Sequence, residues 1–328
     1  MWLLLLASLA LPPGADTVHS VDIYGVRTVS EAALRSAIGV RAGDPVPVSD
    51  DSIRARVRAL PGVAEVQVSM VCCSETGRTL LYVGIREVGT PPLVFRAEPT
   101  GDVRLPDDIA AAGARFEPAL ISAVRRGATA EDGSEGYSLA RDSALRSVQE
   151  SFLQLAARRT DTLVSVLRHS ADADHRALAA QVLAYAPDRR TAARELLHAA
   201  ADPSDAVRNN ATRALAVLAA WAARNPQAGV AIAPELFIDF LDSASWTDRN
   251  KGVMALLSLT SAHDATLLAE LRSRALPSLV EMARWTHAGH ALGPFLILAR
   301  LAGLTDEAAF QAWQAGDRDA VIARALAG

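Results

Sequence analysis

His287 and His290 stand three residues apart, a spacing that puts two imidazoles on one face of a continuous helix. Such a pair ligates a transition metal when a carboxylate or a third histidine completes the set, and none lies at a recognisable spacing. The pair therefore reads as a surface or packing feature. Asp172, Asp174 and His175 form a second polar group, whose acids helix capping explains without chemistry. Cys72 and Cys73 are the only cysteines, and they are adjacent. On a strand their side chains point to opposite faces, so a disulfide between them needs a strained peptide. An intermolecular bridge, or one buried and one free thiol, are the alternatives. The chain carries no phosphate-binding Gly-rich loop, no zinc-protease helix motif and no Gly-x-Ser-x-Gly elbow. No catalytic residue, cofactor or metal is assigned, and the expectation is a non-enzymatic protein.

Charge narrows the partners. A formal net charge of −4 leaves no basic footprint for nucleic acid. Lys251 is the only lysine among 33 basic residues, so the cationic surface is almost wholly Arg, which a coding bias explains more simply than phosphate or carboxylate recognition. Half the residues are hydrophobic and 5% are aromatic, so the core must be built mainly from Ala, Leu and Val, which suit close-packed helices. Residues 1–15 read as a secretory signal peptide, with an apolar run from Trp2 to Leu11 and small residues at Ser8 and Ala10, or at Ala15, for cleavage. No basic residue precedes that run, which points to a start a few residues upstream or to an unusual signal. Export to the periplasm or envelope is the expectation, and it would place both cysteines in an oxidising compartment.

The elements that must position these residues begin with a strand at Val18–Tyr24, read from its alternation and ended by Gly25. Ser30 caps a short helix with Ala33, Leu34, Ala37 and Ile38 as its stripe, and Ile53, Val57 and Leu60 mark a second. Pro61-Gly62 stops it, and two strands follow around a polar turn at Ser74–Arg78. The order is β-α-α-β-β. Val21-Asp22-Ile23-Tyr24-Gly25, Gly43-Asp44-Pro45 and Leu60-Pro61-Gly62-Val63-Ala64-Glu65-Val66-Gln67-Val68 resemble a POTRA domain over residues 17–89. That resemblance implies binding of other polypeptides in a cell envelope, often by adding a strand at a sheet edge. The barrel and the membrane anchor that usually accompany the module are not read in this chain, so barrel-assembly and division roles are not implied.

Residues 90–138 read as a linker with partial helix, Asp107–Val124 forming one or two helices and 128–138 a mobile, solvated acidic loop. That loop lacks the ligand spacing of an EF-hand. From residue 139 onward a basic residue recurs, followed by small or apolar residues three, six and seven positions later. It does so at Arg176, Arg208 and Arg249, with degenerate copies at Arg141 and His290. Arg176 and Arg208 are 32 residues apart, and 41 separate each of the next two steps. The run Asp202-Pro203-Ser204-Asp205-Ala206-Val207-Arg208-Asn209-Asn210-Ala211 resembles the HEAT signature, and residues 139–327 are identified as a HEAT-like α-solenoid. The resemblance implies an Arg that pairs with acidic groups of neighbouring repeats, and makes Arg176, Asp205, Arg208, Asn209, Asn210 and Arg249 the candidate interaction residues.

The expected class is α+β, a POTRA-like domain followed by the solenoid. The expected function is an envelope scaffold or adaptor that binds protein partners through the sheet edge and the concave helical surface, with peripheral envelope association. Two alternatives remain open: a HEAT-type lyase-like enzyme, and a self-associating structural solenoid.

Overall fold

The computed structural model describes residues 17–72, 74 and 76–328. The expected signal segment and Cys73 lie outside the described residues. The chain divides into two compact units. One takes in the residues up to Pro92 with Ser243–Trp246 and Val280–Leu292; the other takes in Leu93–Asp242, Thr247–Leu279 and Gly293–Gly328.

The first unit is built on β1 (Val18–Tyr24), α1 (Glu31–Ile38), α2 (Asp51–Arg58), β2 (Val63–Val71) and β3 (Thr79–Glu87). The strands form one sheet in the order β1-β3-β2, with β1 parallel and β2 antiparallel to the central β3. The Ser30 hydroxyl accepts from the Ala33 N–H at 3.3 Å and starts α1. Gly39, at φ 65°, ends that helix by donating to the Arg35 carbonyl. Leu34, Ile38, Ile53 and Val57 of the helices pack on Val63, Val66, Leu81, Val83 and Ile85 of the sheet.

The opposite face is also covered. Leu80 through Ile85 of β3 are all buried. Residues distant in sequence cover this face: Trp246 and Trp285 pack on the Tyr82 ring of β3, and on neighbouring β1 the Tyr24 hydroxyl donates to the Ala244 carbonyl at 2.8 Å and Asp22 accepts from the Thr286 N–H and hydroxyl, both at 2.9 Å. Gly84 sits where the layers meet. A Cβ there would lie 2.1 Å from the Ala244 carbonyl oxygen and 2.4 Å from the Tyr24 ring, so only glycine fits.

In the second unit, residues 93–106 form an extended strap before α3 (Asp107–Arg125), a single helix containing Pro118. A short ladder, β4 (Glu131–Asp132) with β5 (Leu139–Ala140), closes the segment read from sequence as a mobile loop. Ten helices follow: α4 (Ser143–His169), α5 (Ala173–Leu183), α6 (Arg189–Ala200), α7 (Asp205–Arg224), α8 (Glu235–Phe240), α9 (Trp246–Leu259), α10 (Ala265–Ala283), α11 (Ala288–Leu301), α12 (Asp306–Ala315) and α13 (Arg318–Ala327). Helix α4 packs on α5, α5 on α7 and α6 on α7, so consecutive helical hairpins stack through their first helices. One hairpin cannot bury its apolar face alone, and stacking supplies the missing cover.

Candidate interaction groove

The repeated arginines organise the second unit. Arg176 is fully buried; its guanidinium forks onto Asp202 at 2.9 and 3.0 Å and donates to the Ser170 and Ala171 carbonyls at 2.9 and 3.1 Å. Arg208 repeats this geometry, forking onto Asp248 at 2.8 and 2.9 Å and donating to the Asp202 and Pro203 carbonyls at 3.0 and 2.9 Å. Each Arg thus satisfies the carbonyls six and five residues before it, which would otherwise be stranded between helices, and then reaches the acid of a later hairpin. Arg249 is buried at the corresponding place in α9. Asp205, by contrast, is exposed in the first turn of α7, and the buried acid of that signature run is Asp202.

The strap runs along this row. Phe95 lies under the Arg208 guanidinium at 3.9 Å, Arg96 joins Asp202, and Glu98 lies 3.6 Å from Arg176. Further on, the Gly101 N–H donates to the His169 carbonyl at 2.9 Å, and the Leu105 N–H donates to His175 Nδ1 at 2.8 Å. His175 is thereby an acceptor in the fold, and Asp172 caps α5 by accepting from the Asp174 and His175 N–H groups.

The other conspicuous feature is a cavity of about 230 Å³ lined by Tyr137, Gln181, Tyr185, Asn209, Asn210 and Lys251, with Arg213 at its wall. Asn209 and Asn210 follow Arg208 directly on α7, so the helix that buries the arginine turns the amides into the cavity. Their hydrogen bonds tie the hairpins together. Asn210 donates to the Ala177 carbonyl at 3.0 Å, and the Thr247 hydroxyl donates to Asn209 Oδ1 at 2.7 Å. Each amide nitrogen carries two N–H bonds, so one of each pair is left over for a ligand.

The acidic segment keeps Glu131, Asp132, Ser134 and Glu135 exposed, as expected of a solvated loop, and is anchored at the cavity wall. Glu131 forms an ion pair with Arg213, the Tyr185 hydroxyl donates to the Ser138 carbonyl at 2.9 Å, and the Ala140 N–H donates to Gln149 at 2.6 Å. Lys251 is half-buried on α9 and touches the Met254 sulfur at 3.9 Å. Among the described residues no carboxylate pairs with its ammonium. Burial pushes that ammonium down to about 8; nearby Arg213 adds to the fall, and Glu131 opposes it.

In the first unit, His287 precedes α11 and His290 lies in its first turn, with their rings 4.3 Å apart. The Tyr82 hydroxyl and His290 Nδ1 share a hydrogen bond of 2.7 Å, and Trp246 and Trp285 flank the Tyr82 ring. Burial pushes the Tyr82 phenol up, and Asp22 and Tyr24 add to the rise. Among the described residues no group of three metal-ligating side chains occurs. Cys72 directly follows β2.

Sequence reasoning missed Asp202 and Asp248 as the partners, although Asp248 stands next to a repeat arginine. It also missed the placement of Lys251 at the cavity, for which its singularity in the composition was the available signal. Arg300 was likewise not singled out; it is buried, forks onto Asp306 at 2.9 and 2.8 Å and donates to the Thr260 hydroxyl at 2.7 Å.

No family model and no curated protein matches the chain. Among solved structures it is similar to a designed armadillo repeat protein in complex with the peptide (KR)4, at 18% identity over 57% of this chain and 93% of that one, with a TM-score of 0.37.

Proposed function

We propose that this protein is a non-enzymatic interaction scaffold of the cell envelope, a POTRA-like module followed by a HEAT-like solenoid, and that it grips an extended polypeptide segment in the groove of its second unit. The observation that carries this reading is the cavity beside Asn209 and Asn210. Its polar lining consists of amides and cations on α5, α7 and α9, and Asn209 and Asn210 are held by neighbouring helices with N–H donors left over to meet a peptide main chain. The β2 edge of the sheet is a second candidate surface. It is nine residues long and carries a single charge, Glu65, whereas the start of β1 is bonded to Asp44 and Gly43.

Site-specific photo-crosslinking in cells tests the proposal. A crosslinker at Gln181 should capture a polypeptide that one at exposed Arg125, outside the groove, does not. Fractionation should place the adducts in the envelope. Capture at both positions alike, or a cytoplasmic location, would refute it.

A further inference from the structure

Lys251 is the only lysine in the chain, and it lines the cavity. The groove's acid is already committed, because Glu131 is paired with Arg213. Among the described residues its polar contact is the Met254 sulfur at 3.9 Å, a weak acceptor. A half-buried ammonium without a carboxylate is an unbalanced charge in a partly desolvated site, and a ligand carboxylate would balance it. Gln181, Asn209 and Asn210 share the cavity and offer neutral donors beside the cation. Tyr137 and Tyr185 supply ring surface for the stem of the same side chain.

We infer that the cavity beside Lys251 is a carboxylate subsite, which takes an acidic side chain of an extended peptide. The inference rests on the groove being a peptide-binding surface, and it adds the charge of the ligand. Charge complementarity selects this occupant: a basic side chain would meet Lys251 and Arg213 together, whereas an aspartate or glutamate meets an uncommitted ammonium.

Fluorescence anisotropy on the full chain tests this with two labelled octapeptides, alternating Glu-Ala and alternating Gln-Ala. The acidic probe should bind roughly tenfold tighter, the worth of one charge-assisted hydrogen bond. Lys251→Met should remove that preference, and Lys251→Arg should keep most of it. Reductive methylation adds an independent readout, since the single dimethyl-lysine side-chain signal should titrate at higher pH with the acidic probe bound. Equal binding of the two probes overturns this inference and leaves the groove proposal standing. Binding of neither overturns both. An unmoved lysine signal with the acidic probe bound also overturns it, because the carboxylate then sits elsewhere.

Discussion

Replacing Glu87 with Gln should release the loop between β1 and α1. Glu87 ends β3 and is 4% exposed. Its carboxylate accepts from the Arg27 N–H at 2.7 Å, from the Thr28 and Val29 N–H groups at 2.9 Å each, and from the Thr28 hydroxyl. Burial alone would raise this carboxyl, but donation from the Thr28 side chain and from the backbone of Val29, Arg27 and Thr28 overrides it and holds the group at about 2. The drop from an ordinary value of 4.5 corresponds to about 3 kcal/mol at ~1.4 kcal/mol per pKa unit. Because the folded value is depressed, this stability is fully present above the unfolded value and is lost as pH falls through the folded one. The window is therefore from about pH 5 down to about pH 2. Urea unfolding of wild type and Glu87→Gln, followed through the tryptophans, should show a gap of about 2–3 kcal/mol at neutral pH that closes across this window. Amide exchange at Arg27, Thr28 and Val29 should accelerate in the variant. A gap that is absent at pH 7, or constant from pH 7 to pH 2, would refute the clamp.

Arg208→Ala should destabilise the second unit by about 3–5 kcal/mol in thermal or urea unfolding, because it removes the fork onto buried Asp248 and the donors to two carbonyls. Arg208→Lys should recover little of this, since an ammonium cannot fork onto the carboxylate. Gly84→Ala should lower the melting temperature by a shift worth roughly 1–3 kcal/mol or more, as its methyl collides with the Ala244 carbonyl. Glu131→Gln should cost under about 1 kcal/mol, because its pair with Arg213 is partly exposed, while raising amide exchange across β4 and β5. Unchanged exchange there would show that Tyr185 and Gln149 alone hold the segment.

The short-range features of this chain were legible without coordinates. The β-α-α-β-β order follows from alternation, from the Ser30 cap and from the Pro61-Gly62 stop, all local effects of backbone geometry. The helices after residue 139 follow from a repeating register of small and apolar residues, which also marked Arg176, Arg208 and Arg249; that these three side chains are buried was not read from it. Partners were not legible. Asp202 and Asp248 answer arginines 26 and 40 residues earlier, distances set by helix and loop lengths that no local pattern encodes. The acidic loop is exposed at Glu131, Asp132, Ser134 and Glu135, as its polar composition suggests, but its anchors were not legible, because Arg213 and Tyr185 lie 82 and 47 residues from the atoms they hold. The second buried face of the sheet was hidden for the same reason, since Ala244 and Thr286 reach Tyr24 and Asp22 of β1 from more than two hundred residues away. Sequence alone determined which segments fold and which side chains turn inward, because propensity and period act within a few residues. Only the tertiary structure decided which charge meets which, and among the described residues that pairing leaves Lys251 at the cavity without a carboxylate partner.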